Sequence, residues 1–439
     1  MSEVTVTPSS TKAHNGAPDA PAVEVYAVYG VEPEIQAYAM ARYSRSALSM
    51  KEALKEINQQ KAEKFLNTFY FQYGHRSIAD LAHIALAIER LSILAAIAVA
   101  DEQRWDGQER STRYQDFKKS GYYTPDFGGD EQARTRYRET IENLFGEYES
   151  LSQRMFQYLS SITPKPAEMK QEMYDRTLRA RAFDISRYLL PLATNTSLGE
   201  IVNARTLESQ VSHLLAHTHK EVRYLGELLK RAATSPAYNP NQESLRELVE
   251  QIRAVSLEVG TRAEQELLRE VQVAPTLVKY ADPNKYEIET RRELRQVASE
   301  LMGNLSIASA PTVDLLDEEP LEVELAATLV YEHCDYPYRQ IREAVQAAGE
   351  RIRREIIDLG LRHRGSHDGM LRAFCAGQQF RFDILMDVGG FRDMHRHRRC
   401  IQIGQEFTTR HGYDAPEELE PAGALESYDA VMQRVAGVV

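Results

Sequence analysis

Cysteine is scarce: Cys334, Cys375 and Cys400 are the only 3 in 439 residues, and no two form a Cys-x-x-Cys pair. That excludes a disulfide-stapled secreted scaffold and fits a reducing compartment. A basic surplus is missing too. The 53 Lys and Arg face 65 Asp and Glu, for a net charge of -12, which argues against a general nucleic-acid binder, whose footprint is basic. Long uncharged apolar runs are absent. The nearest approach, residues 81–100, is interrupted by His83, Glu89 and Arg90, so it reads as a buried core helix and not as a membrane span. Residues 1–22 lack the apolar centre of a signal peptide; they are small, polar and Pro-containing, and read as a disordered tail. A cytoplasmic protein is expected. With 43% hydrophobic and 27% charged residues, the chain can bury two or three ordinary cores.

Helical periodicity dominates what is present. The apolar stretch at 23–31 could form a strand, and residues 81–99 read as a core helix. A Pro- and Gly-containing loop at 121–130 leads to an amphipathic helix over Glu131–Ile162, closed by Pro164 and Pro166. Met173–Leu190 reads as another, stopped by Pro191. In the next, Leu207, Val211, Leu214, Val222, Leu225 and Leu229 fall at three- and four-residue steps or their multiples. Residues 240–310 are charged and helical, without obvious chemistry, and read as a connector. A second globular segment begins near Ala310, with amphipathic helices at Leu321–Tyr331 and Ile341–Leu361 and mixed character over Phe380–Met394.

An internal repeat supplies the organising signal. The octet Gly107-Gln108-Glu109-Arg110-Ser111-Thr112-Arg113-Tyr114 resembles Gly404-Gln405-Glu406-Phe407-Thr408-Thr409-Arg410-His411. Each follows an apolar segment and precedes a Tyr and a Pro, so duplication is the reading adopted. Ahead of the second octet lies Arg392-Asp393-Met394-His395-Arg396-His397-Arg398-Arg399. Such crowding repels itself unless an anion offsets it, and the planar donors of Arg suit phosphate oxygens. A solvated basic edge is the competing reading. His395, His397, Cys400 and His411 could offer metal ligands, but their spacing fits no closed zinc pattern and the neighbouring Arg would repel a dication. No metal site is expected.

Arg396-His397-Arg398, followed by Glu406, Thr408 and Arg410, resembles the RHRxxSx(N)ExSxRY motif of flavin-dependent thymidylate synthases. Two extra residues separate the halves of the motif, and Ile401 stands where its first Ser would be. Glu109, Ser111, Arg113 and Tyr114 match ExSxRY without a gap, while Asp101-Glu102-Gln103 occupies the RHR positions. Gly74-His75-Arg76-Ser77-Ile78-Ala79-Asp80 is similar to the family's upstream His-x-Ser/Thr-x-x-Glu signature, with Asp for Glu. Ser44 in Arg42-Tyr43-Ser44 sits where the family has a flavin-contacting serine. Tyr188-Leu189-Leu190-Pro191 and Asn203-Ala204-Arg205 look like its Leu-Pro and Asn-x-Arg elements. Arg362-His363-Arg364 is a decoy, since no matching strip follows, and is expected to cap a helix end.

The resemblance implies a helix-rich α+β fold in two thymidylate synthase-like copies, residues 23–239 and a truncated 311–439, joined by 240–310. It implies methylation of dUMP to dTMP, with methylenetetrahydrofolate giving the carbon and NADPH-reduced FAD the hydride, and no cysteine nucleophile. By the same resemblance, Arg396, His397, Arg398, Ser77, Ser44, Asn203 and Arg205 hold FAD. His75, Ser111 and Thr408 serve catalysis, and Glu109, Arg113, Gln405, Glu406 and Arg410 bind the nucleotide. A satisfied buried histidine competes at His75, and an ordinary salt bridge at Glu109 and Arg113. Each copy lacks what the other keeps, which implies a composite site and a homodimer imitating the family's tetramer. The rivals are a relative acting on another pyrimidine nucleotide and a nucleotide- or flavin-binding protein without catalysis.

Overall fold

The computed structural model describes residues 28, 30–42, 50–56, 76–117, 120–316, 321–366, 368–375, 381–397 and 400–438. Helices α1 (Pro33–Ala41) and α2 (Met50–Glu56) precede a 3-10 turn at Arg76–Leu81, strand β1 (His83–Ser92), α3 (Ile93–Ala100) and β2 (Trp105–Glu109). Next come α4 (Glu131–Ile162), α5 (Gln171–Ser186), β3 (Asn195–Asn203), α6 (Ala204–Leu215) and α7 (Lys220–Thr234). Helices α8 (Gln242–Val255), α9 (Leu257–Leu267) and α10 (Lys285–Met302) lead to β4 (Val313–Leu316), α11 (Leu321–Tyr331), α12 (Tyr338–Ala347) and α13 (Gly349–Arg362). The chain ends with β5 (Arg381–Ile384), α14 (Val388–Met394) and α15 (Leu425–Ala436). The fold is helix-rich α+β. Of the stretch at 23–31, residues 23–27 and 29 lie outside the described residues.

The helix expected over 81–99 is instead a strand followed by a short helix. Ile84 and Ile88 point into the core while Ala85, Ala87 and Glu89 face outward, a period of two that the Ala- and Leu-rich composition conceals. Pairing decides the matter: β1 runs antiparallel to β3, and β2 flanks β3 on the other side. A bulge between Glu89 and Leu91 places Arg90 at φ 62, and the strand then passes to α3, whose first turn Ser92 caps by accepting the Ala95 N–H. Among the described residues, no helix is long and apolar enough to cross a membrane.

Helix α4 takes the bounds its apolar stripe predicts, with Asp130 as its N-cap and Leu144, Tyr148, Leu151, Met155 and Leu159 buried. The single helix expected through Leu207–Leu229 is two, α6 and α7, broken at Ala216–His219. The segment Ile341–Leu361 divides likewise at Gly349, whose φ of 84 suits a residue without a Cβ. Arg362 and His363 do sit at a helix end, where both pair with Glu293.

Among the described residues, three large apolar cores result, beside a small cluster around Ala39. The first gathers β1, β3, α3, α6 and α7 with Ala274, Leu277, Val278 and Ala281. The second joins α4 and α5 to Leu419, Ala424, Tyr428 and Val431, so the end of the chain packs on the first half. The third unites α10 with α11, α12 and α13. Residues 240–310 therefore contribute to two cores. Buried Glu34 in α1 ties the loop after α9 to the first of them, accepting the backbone N–H groups of Thr276 and Leu277 at 2.7 Å each.

Alternation along β3 buries Thr196, Leu198, Glu200 and Val202 on one face. Glu200 takes an inward position as a carboxyl, accepting only the Gln210 amide at 2.9 Å. Burial first, and the charge of Glu102, push it up to about 7 against the opposing Gln210 bond. The unfolded carboxyl ionises near 4.5, so Glu200 favours unfolding increasingly as pH rises from there towards 7. Glu200→Gln is expected to stabilise the protein by about 2–3 kcal/mol near pH 8 and to do little near pH 4; urea unfolding at both pH values checks it, and equal effects would reject a neutral buried carboxyl. Glu34→Ala should cost about 2–3 kcal/mol at neutral pH, because two buried N–H groups lose a charged acceptor.

Candidate functional site

The two halves meet along α14. Asp387 starts this helix by accepting the N–H groups of Gly389 and Gly390 at 2.7 and 3.0 Å. A Cβ on Gly389 would lie 2.9 Å from the Asp387 carboxylate, so the glycine lets that cap close on the helix. The following turn carries the charges. Arg392 pairs with Glu109 at the end of β2 at 2.6 Å, and Glu109 also accepts the Thr196 hydroxyl at 3.3 Å. Asp393 receives Arg113 at 3.1 Å, Arg396 at 3.2 Å and Arg187 at 3.5 Å. Arg187 also holds Asp184 at 3.0 Å.

Burial sorts these contacts. Arg187 and Arg392 are 13% and 14% exposed and act as fixed parts of the wall, whereas Arg396 is 68% exposed and Arg113 33%. Four guanidiniums thus face the carboxylates of Glu109, Asp393 and Asp184. The cluster retains positive charge, and its two most open cations face solvent. Exposed His397 follows directly. Such a donor set can receive an anion with several oxygens.

The structure therefore gathers Glu109 and Arg113 of the first octet with Arg396 and His397 of the second half. Ser111 turns inward to its own loop, accepting the Arg113 N–H at 3.3 Å. The second octet goes elsewhere. Glu406 pairs with Arg295 at 2.6 Å, Arg410 with Asp335 at 3.0 Å, and Gln405 donates to the Tyr331 and Tyr336 carbonyls. Thr408 accepts the Arg410 N–H at 3.2 Å. Only Phe407 reaches back, edge-on to Phe391 of α14 at 5.9 Å. On the other side of the first half, Asn203 caps α6 by accepting the Thr206 N–H, and Arg205 pairs at 3.0 Å with Asp80, beside exposed Ser77. Thus the upstream signature and the Asn-x-Arg element do touch. His75, Ser44 and Arg398 lie outside the described residues. Among the described residues, no group of three His, Cys, Asp or Glu side chains is placed to hold a metal ion.

Arg187, Arg392 and Asp393 were not singled out individually from the sequence. One signal was available: Asp393 is the only acid in the run 392–399, and an acid there invites cations from elsewhere.

A second charged seam runs beside the first. Asp101 and Glu102, which follow α3, meet Arg372 at 2.8 Å, His395 at 3.7 Å and His213 at 4.0 Å. His213 reaches Glu287 of α10 at 3.0 Å, and Glu287 also holds Arg291 at 2.9 Å. Burial opposes the charge on His213, but the bond and charge of Glu287, with Glu102, raise its pKa overall. Glu287 is correspondingly lowered despite its own burial. Burial, with His219, Arg291 and Arg223 nearby, holds His217 down to about 4.

Comparison with known proteins follows this geometry. Residues 28–236 match the family described as thymidylate synthase complementing protein. A UPF0159 protein of Chlamydia pneumoniae is 27% identical over 94% of this chain and 77% of its own length. A UPF0159 protein of Thermoplasma acidophilum is 24% identical over 86% and 74%. A protein of Clostridium tetani named flavin-dependent thymidylate synthase is 26% identical over 42% of this chain and 71% of its own. Among solved structures, a UMP/dUMP methylase from Streptomyces cacaoi bound with 5-bromo-dUMP is similar at a TM-score of 0.34, with 19% identity over 45% of this chain and 84% of that one. Through residues 28–236, the chain is similar to the thymidylate synthase complementing protein family, and over 42% of its length to the Clostridium tetani protein.

Proposed function

We propose that the chain is a flavin-dependent methylase of a uridine nucleotide, turning dUMP into dTMP at the seam between its halves. The observation that carries this reading is the meeting of Glu109 and Arg113 with α14 and the exposed Arg396–His397 turn. The match of residues 28–236 to that family suggests the chemistry, and a relative named for that activity supports it. Few cysteines support a cytoplasmic setting. Glu109 and Arg113 meet Arg396 within one chain, whereas Ser77, Asn203 and Arg205 lie on the other side of the first half, so a homodimer that joins the two groups stays part of the proposal.

The donor set fits the pyrophosphate of FAD: Arg396 and His397 are open to solvent and lie beside a cluster with surplus positive charge. Arg398 would complete the triplet. Bound FAD, reduced by NADPH, would supply the hydride for a one-carbon unit drawn from methylenetetrahydrofolate. The chain's own residues bind and orient. Arg113 is half-exposed and its pair with Asp393 is of the kind worth about 0–1 kcal/mol, so exchanging Asp393 for a nucleotide phosphate costs little. Arg187, nearly buried and fixed by Asp184 and Asp393, stays as a second cation behind it. Glu109, held by Arg392 and Thr196, is a fixed acceptor for a ribose or base hydrogen. His75 and Ser77 belong to the same proposal, on the flavin side, with Asn203, Arg205 and Ser44.

A second reading has its own observation: Glu109 and Arg113 are already satisfied inside the chain. A protein that binds nucleotide or flavin without turnover would look the same. The absorption spectrum of the purified protein, titrated with FAD and then dUMP, separates the cases. Flavin bound and perturbed by dUMP, with dTMP formed on adding NADPH and methylenetetrahydrofolate, supports the methylase. Bound flavin without product supports the second reading, and no bound flavin removes both as flavoproteins. Within the methylase reading, Arg113→Ala should weaken dUMP, and Arg396→Ala should weaken FAD, each by roughly 10- to 100-fold in Kd, since a charge-assisted contact contributes about 1.5–3 kcal/mol.

A further inference from the structure

Two stretches of the chain are built alike. Strand β1 ends at Ser92, which caps α3; strand β5 leads to Asp387, which caps α14. Asp101 stands at the same remove from Ser92 as Arg396 does from Asp387, and each is followed by one of the similar octets. Two such units could in principle make two anion sites.

We infer that the chain binds one FAD, not two, because the place that mirrors Arg396–His397 has become an internal clasp of Asp101 with Arg372 and His395. The inference rests on the flavin reading above. Arg372 donates to the Asp101 carboxylate at 2.8 Å, to its backbone carbonyl through a second nitrogen, and to the Gln402 carbonyl at 3.1 Å. The His395 ring lies against Phe391 at 4.9 Å and is 10% exposed, with Nε2 3.7 Å from the same carboxylate. Among the described residues, neither ring nitrogen makes a hydrogen bond, and the carboxylate beside the ring is that of Asp101. Where the second half offers Arg396 and His397, the first half offers Asp101 and Glu102. Glu332 lies within electrostatic reach of Asp101 and Glu287, and of the cations Arg291 and Arg372. A pyrophosphate brought to this seam would meet the Asp101 and Glu102 carboxylates, and Arg372 is already engaged by Asp101. The second octet does not rescue it, because Glu406 and Arg410 are held by Arg295 and Asp335 on the third core.

Equilibrium dialysis with FAD, read by flavin absorbance, tests the count on the intact chain. Saturation at one FAD per chain is expected, with Arg396→Ala lowering affinity at least about tenfold, the loss of one charge-assisted contact. Two FAD per chain would overturn the inference and leave the methylase reading standing. No bound FAD would remove the methylase reading and the one-site count with it. The clasp has a separate readout: Asp101→Ala and Arg372→Ala should each lower Tm, and the double variant should lower it by less than the two shifts together. Additive shifts would show that no clasp exists, even with one FAD bound.

Discussion

The carboxylate of Asp393 is the constraint on which the joint between the halves depends. Arg113 and Arg187 reach it from two parts of the first half, and Arg396 from the turn that follows it; without it their mutual repulsion would have no counter-charge. Each pair is at least partly open to water and therefore weak singly, about 0–1 kcal/mol. The strength of the joint comes from elsewhere. Leu419, Tyr428 and Val431 bury themselves against α4 and α5, at about 1.5–3 kcal/mol for each large apolar side chain. Apolar contact supplies the adhesion, and the charges choose the register. That division suits a binding seam, because ion pairs of this kind can exchange partners with an incoming anion while the packing holds.

The same logic separates the fixed cations from the available ones. Arg392 and Arg187 are nearly buried, and each is matched by a carboxylate at hydrogen-bonding distance. Removing such a partner leaves a charge stranded in a poor solvent. Arg396 and His397 face water and retain their capacity to bind. A nucleotide cofactor would thus find donors prearranged by a buried layer that does not itself need to move.

Legibility in the sequence followed how locally each feature is decided. Helices α4 and α11 were read to the residue: α4 has its own apolar stripe and the Asp130 cap, and α11 is a compact, mostly apolar span. Strand β3 was missed because two of its four inward positions hold Thr196 and Glu200, which blur the alternation. The two octets show the limit most directly. Gly107–Glu109 forms strand because β3 lies alongside, whereas Gly404–Glu406, similar in sequence, has no ladder partner and runs as irregular chain. At the site, Glu109, Arg113, Arg396 and His397 were legible as motif members. Arg187 and Asp393 were not, because their roles arise only from pairing across the two halves.

Under the duplication reading, the loss of one site and the assembly of the chain are a single change. Two copies that both kept a basic triplet after α3 and α14 would confront each other with like charge along this seam. A neutral replacement in one copy would have relieved the repulsion and contributed nothing more. Asp101 and Glu102 reverse its sign, so that His395 and Arg372 of the second half, and His213 of the first, become partners. Reversal at one end leaves the opposite end, where Glu109 meets Arg392, free to keep the cations that an anionic ligand needs. The asymmetry of the degraded motifs is what charge complementarity requires when two binding units must close on each other within one chain and still leave a place for a ligand.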